Sequence, residues 1–155
     1  MATMLDKLLA ESGLAEKAVR IDDHLVRMQW GSAFVIAGIS GSAIVAIAPM
    51  FRMLPAGKEQ AFYRKLLEHN AHMGGIASFA IQPDGWVVLH AGRAIKGIDG
   101  QEFETMVAAV GRFADQFDDE LIAEFFAGNR EAPPLDDELV LPTAGESDAS
   151  LPQTD

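Results

Sequence analysis

His69 and His72 stand three residues apart behind Glu68, and two imidazoles at that spacing on one helix could share a metal ion. The HExxH arrangement is absent and no third ligand is assured, so surface or helix-end histidines are the expected reading. His24 and His90 fall in strand-like segments, where a partly buried imidazole with one hydrogen bond is ordinary. Gly38-Ile39-Ser40-Gly41-Ser42 superficially looks like a nucleophile elbow, but GxSxG needs Gly two residues after Ser and a helix after the turn; here a strand pattern follows. Gly92 to Gly97 lacks the GK[ST] ending of a phosphate loop, so Lys96 is expected to flank an ordinary loop. Asp118, Asp119 and Glu120 are adjacent on a predicted helix and point in different directions, which suits neither an acid pair nor an EF-hand. No catalytic constellation survives, and the expectation is a non-enzyme with no metal and no cofactor; a metal-assisted reaction on His69 and His72 is the remote alternative.

The elements that would position these residues can be read from periodicity. Thr3 as N-cap with Asp6 three residues on is a capping-box variant; Leu5, Leu8 and Leu9 then share a helical face, and Gly13-Leu14 suits a Schellman stop. Val19 and Ile21, then Val26, Met28 and Trp30, alternate with polar residues, a strand signal. Gly31-Ser32 and Ser40-Gly41-Ser42 turn the chain into two further apolar runs, giving a three-stranded antiparallel meander. Lys58 to Met73 places Phe62, Leu66, Leu67, Asn70 and Met73 at helical spacing before Gly74-Gly75. Ala77 to Ile81 and Trp86 to Leu89 flank Pro83-Asp84-Gly85, where Pro presets φ and Gly accepts a positive one. Ala91 to Ile98 reads as irregular extended chain. Asp99 and Glu102 open a final helix whose stripe, Phe103, Met106, Val110, Phe113, Phe117, Leu121 and Phe125, is about 40 Å long at 1.5 Å per residue, with Gly128 as its expected cap.

The chain has 155 residues, 12 Lys+Arg, 23 Asp+Glu and no Cys. Such a length gives one domain with enough core to dispense with disulfides and structural metals. Without Cys there is no zinc knuckle, iron–sulfur cluster or thiol nucleophile. A formal charge of −11 argues against nucleic acid as a partner. The excess is local: residues 100–128 carry Glu102, Glu104, Asp115, Asp118, Asp119, Glu120 and Glu124 against Arg112 alone, and residues 129–155 continue the trend against Arg130. A solvated helix face and a tail explain it; attraction of basic partners is the sharper alternative. Met28 to Phe51 holds no charged residue and is long enough to span a bilayer. Its central Ser-Gly-Ser, Pro49 and β-branched residues favour strands instead, so no membrane partner and a cytoplasmic location are expected. The domain is expected over residues 1–128. Residues 129–155, with Pro133, Pro134, Pro142 and Pro152, read as an acidic, Pro-rich flexible tail in which only Leu135, Leu139, Val140 and Leu141 could dock.

The expected class is α+β: an antiparallel sheet of five or six strands with helices on it, in the order α-βββ-α-ββ(β)-α, closed by the long C-terminal helix. This order resembles the class I type III secretion chaperones of the Tir chaperone family and the related YbjN-like domains over about residues 4 to 126. Leu66-Leu67-Glu68-His69-Asn70 is similar to the LLxxN signature of the middle helix, and Leu8-Leu9 with Gly13-Leu14 to the LLxxxGL opening helix. Gly74 to Ile81, Pro83 to Leu89, Gly97-Ile98-Asp99 with Phe103, and Leu54-Pro55 resemble the segments that follow. The long Pro-rich tail and Asp22-Asp23-His24 depart from the pattern. The resemblance implies a small acidic chaperone, a homodimer that holds an extended segment of a protein client, such as a secreted effector; the alternative is a YbjN-like regulatory or adaptor domain without a secretion client. Val26, Met28, Trp30, Phe34 and Ile36 are the client-binding candidates, by strand addition at an edge of the meander. Phe62, Leu66 and Met73 are the dimer-interface candidates.

Overall fold

The computed structural model describes residues 1–126; Gly128 and the expected tail over 129–155 lie outside the described residues. The elements run α1 (Met4–Ser12), β1 (Ala18–Arg20), β2 (Leu25–Trp30), β3 (Ala33–Ser40), β4 (Ala43–Phe51), α2 (Glu59–Met73), β5 (Ser78–Ile81), β6 (Val87–Ala94) and α3 (Gly100–Phe125). They form one antiparallel six-stranded sheet in the order β1-β2-β3-β4-β6-β5, with three helices. The fold is therefore α+β with a long C-terminal helix, as the periodicity indicates. The meander carries one strand more than expected, because the Asp22–His24 bend cuts β1 away from β2. The segment after Leu89 is more regular than expected: Ala91 to Ala94 complete β6 along β4.

Local chemistry sets the helix ends. The Thr3 hydroxyl accepts the Asp6 N–H while the Asp6 carboxylate accepts the Thr3 N–H, closing the capping box at about 1 kcal/mol. These bonds from Thr3, followed by the adjacent Arg20 guanidinium, hold the Asp6 carboxyl below its ordinary range. Asp99 caps α3 through the Glu102 N–H at 2.8 Å. The described C-cap of α3 is Phe126.

Strand register decides which side chains share a face. Val26, Ala37, Ala46 and Ala91 are successive partners across β2, β3, β4 and β6, and all four belong to the main core together with Leu5, Leu8, Phe62, Phe103, Met106 and Leu121 from the helices. The row of alanines lets α3 lie close to the sheet. Gly111 of α3 makes the same use of small size, since a Cβ there would stand inside the Trp30 ring. At the far end Phe62 meets Phe125 edge-on at 5.2 Å, and Phe126 stacks on Phe51 at 4.8 Å, so α2, α3 and β4 close around one aromatic group.

Candidate functional site

The opposite face of the sheet has a different character. Val19, Arg27, Ile36, Ile47, His90 and Ser78 are successive partners through all six strands, so they form one row across this face. Neighbouring rows add Leu25, Gly38, Val45 and Gly92, then Gln29 with Phe34, and Val88 with Ala80. Ile36, Ile47, Trp86 and Val88 form a second apolar cluster, with Ile21, Leu25, Phe34 and Ala80 packed on it. None of these residues belongs to a helix. The charged side chains that register or ring contact places here are both basic: Arg27 lies over the Phe34 ring at 5.8 Å and Arg52 over the Trp86 ring at 5.9 Å. His90 faces Ser78 at 3.3 Å, and burial holds its pKa below the ordinary value, which favours the neutral imidazole. The face is therefore apolar: Ile36, Ile47, Trp86 and Val88 are buried, and Ile21, Leu25, Phe34 and Ala80 remain partly exposed on it.

The client-binding candidates divide between the two faces. Val26 and Met28 are each 1% exposed and belong to the main core, and Trp30 packs against that core beside Gly111. Their side chains are thereby committed to α3 and leave the expected binding strip. Phe34 and Ile36 lie on the helix-free face, Phe34 half-buried and Ile36 only 3% exposed. At β2 the outer side is paired: β1 runs along Val26 to Met28 and takes the edge position. Phe62, Leu66 and Met73 are likewise buried in the chain's own core, at 0%, 5% and 2%. The apolar side chains that α2 leaves outside are Tyr63 and Leu67, so Leu67, expected in the buried stripe, is exposed. With Asn70, Phe79 and Ile81 they line a shallow groove of about 280 Å³ beside β5.

Sequence reasoning missed the task of Asn70. Its side-chain amide accepts the Phe79 N–H at 2.6 Å and donates to the Phe79 carbonyl at 3.3 Å, so α2 covers part of the outer backbone of edge strand β5. That gives the last residue of Leu-Leu-Glu-His-Asn a physical reason: it blunts a sheet edge. A second missed contact joins the Gly31-Ser32 turn to α3. The Ser32 N–H and hydroxyl donate to Asp115 at 2.8 and 2.9 Å, and the hydroxyl also lies 2.8 Å from buried Asp118. The Ser32 bonds lower the Asp115 pKa. Both links cross more than eighty residues of sequence for Ser32, and only the folded sheet brings the partners together.

The histidine pair is mostly structural. His69 stacks on Phe117 at 4.1 Å, with Glu120 at 3.6 Å from Nε2, and burial lowers its pKa while Glu120 opposes the shift. Lys65 bridges from α2 to Glu120 at 3.0 Å and Glu124 at 3.5 Å on α3. His72 is exposed in the last turn of α2. Among the described residues, no group of three or more His, Asp or Glu stands together as a metal-ligand set. No described helix is long and apolar enough to cross a membrane; Met28 to Phe51 forms β2's end, β3 and β4.

Comparison with solved structures gives two similar folds. The ExsC–ExsE complex contains a chain that aligns at a TM-score of 0.55 and 15% identity, covering 77% of this chain and 96% of that one. The heterodimeric ExoU–SpcU complex from the type III secretion system of Pseudomonas aeruginosa contains one at 0.57 and 16%, covering 74% and 95%. A search of curated protein sequences gives no match. Residues 3–117 match the Tir chaperone protein (CesT) family, a span that runs from the α1 cap through the sheet and into α3. The chain belongs to that family.

Proposed function

We propose that this protein is a non-enzymatic chaperone that holds an extended segment of a protein client against the helix-free face of its sheet. The observation that carries the reading is the row Val19–Arg27–Ile36–Ile47–His90–Ser78 with its apolar neighbours, on a face that no described helix crosses. Phe34, half-buried, remains a client-binding residue on this account, with Ile36, 3% exposed, as part of the apolar cluster behind it, and Arg27 and Arg52 would orient acidic groups of the client. The two similar chains come from complexes with partner proteins, which supports a partner-binding role. Residues 1–128 would be the binding unit, working in the cytoplasm, with residues 129–155 appended.

The unit would act as a homodimer. Tyr63 and Leu67 on the outer side of α2, together with Ile81, offer apolar surface that a second copy could cover by two-fold symmetry. Asn70 directs such contact toward side chains, because it already occupies the Phe79 backbone groups. Sedimentation of the protein and of Leu67→Asp tests this: a dimer lost in the variant supports it, and a monomeric parent protein removes it.

The client reading is tested by co-expression with a secreted protein encoded beside this gene, then limited proteolysis of the purified complex. A client segment protected by the parent protein and cleaved with Phe34→Asp supports the reading. Equal protection by both proteins would place the client elsewhere, and no complex would favour an adaptor without a secretion client.

A further inference from the structure

His69 and Asn70 are neighbours on α2, and both engage the same residue of edge strand β5. The His69 ring lies 4.1 Å from the Phe117 ring of α3 and 6.2 Å from the Phe79 ring, while the Asn70 amide holds the Phe79 N–H and carbonyl. β5 is the last strand of the sheet, so Asn70 is what covers its outer backbone at Phe79. Beyond Asn70 only Met73 is buried before α2 stops at Gly74. The end of a helix opens at lower cost than its middle, and here that end carries the cover of the edge.

The His69 site suits a neutral ring and not a charge. The side chain is 13% exposed, and its Nε2 is buried with no hydrogen-bond partner among the described residues. The Glu120 carboxylate, 3.6 Å from that nitrogen, is already engaged at 3.0 Å by Lys65, which also reaches Glu124 at 3.5 Å. On α2 itself Lys65 and His72 stand one turn before and one turn after His69, and the adjacent Glu68 is paired with Arg64 at 2.8 Å. β5 contributes only the uncharged Phe79 ring. Burial accordingly lowers the His69 pKa, with Glu120 opposing the shift, Lys65 and His72 adding to it and Glu124 opposing. A protonated imidazole is better accommodated in water, so proton uptake favours the conformation in which this end of α2 has lifted.

We propose that His69 is a pH-sensitive catch: when it takes up a proton, the end of α2 lifts, Asn70 lets go of Phe79, and the outer edge of β5 opens to a further strand. An uncovered edge is a template for strand pairing, and the catch makes this one conditional on acid. The device goes beyond the client reading and does not depend on it.

The Phe79 amide reports the catch. Its hydrogen-exchange protection factor, measured by NMR on the full chain at about pH 7.5 and about pH 5.5, either side of the ordinary histidine value, should fall several-fold at the lower pH while amides of the central strand β4 keep theirs. His69→Phe keeps a ring against Phe117 but cannot titrate, and should protect Phe79 equally at both pH values; if circular dichroism shows that it fails to fold, His69→Gln decides. Glu120→Gln removes the carboxylate nearest the imidazole, which favours the charged form, and should move the fall to lower pH. His90→Gln removes the other half-buried imidazole, opposite Ser78 of β5, and should leave the response in place. Equal protection of Phe79 at both pH values in the parent protein overturns the proposal, as does a fall that persists without His69 or disappears in His90→Gln.

Discussion

Met28→Asp and Phe34→Asp should have opposite consequences, although the two residues sit on adjacent paired strands. Met28 is 1% exposed inside the main core, where truncating a large apolar side chain costs about 2–5 kcal/mol before any charge is considered. The new carboxyl must then either be buried ionised or take up a proton, at a further cost of several kcal/mol. The total approaches the whole stability of an ordinary domain, about 5–15 kcal/mol. Phe34 is half-buried on the other face under Arg27, so replacing it forfeits only part of the roughly 1.5–3 kcal/mol of a fully buried side chain. Arg27 next to the new carboxylate returns a few tenths of that. The net loss of about 1 kcal/mol lowers Tm by about 2–4 °C for a chain of this size. Thermal and urea melts followed by circular dichroism measure both variants. Cooperative folding of Met28→Asp near the parent Tm, or unfolding of Phe34→Asp, would refute the assignment of the two faces.

Asn70→Ala removes both bonds to the Phe79 backbone and exposes the β5 edge, so it should cost about 1–3 kcal/mol in urea melts and raise aggregation in light scattering; Asn70→Asp, which keeps only the acceptor, should fall between. Gly111→Ala drives a methyl group into Trp30 and should cost about 1–3 kcal/mol, partly recovered by Trp30→Leu. His69 and His90 have pKa values lowered by burial, so their contribution is complete above the unfolded value of about 6.5 and is lost as pH falls below it. The urea midpoint should therefore drop from about pH 7 to about pH 5.5, and His90→Gln should shrink that drop. A second fall belongs to Asp6 and Asp115, whose depressed values give stability present above about pH 3.9 and lost below it.

Local signals carried the helices and hairpins. The Thr3–Asp6 box, the Asp99 cap and the α3 stripe depend on residues three and four apart, and Gly74, with φ 63°, ends α2 where a left-handed residue is required. Alternation in β2 likewise shows that Val26, Met28 and Trp30 share a face. It does not say that α3 takes that face, because Phe34 and Ile36 make the opposite side of the sheet apolar as well. In α2 the same ambiguity holds: Phe62, Leu66 and Met73 are the buried stripe, and the outward Tyr63 and Leu67 interrupt its amphipathic pattern. The short β1 is illegible as a separate strand, since its three residues gain their partners only from β2. Ser32 with Asp115 and Asp118, and Asn70 with Phe79, are contacts made by tertiary structure, so spacing along the chain carries no trace of them.

Photocrosslinking tests the helix-free face as the client surface most directly. A benzoylphenylalanine placed at Gln29 or Phe34 in the complex with a co-expressed secreted client should crosslink to the client, while the same probe at Asp119, exposed on α3, should not. Crosslinks from position 119 with none from positions 29 and 34 would contradict the account.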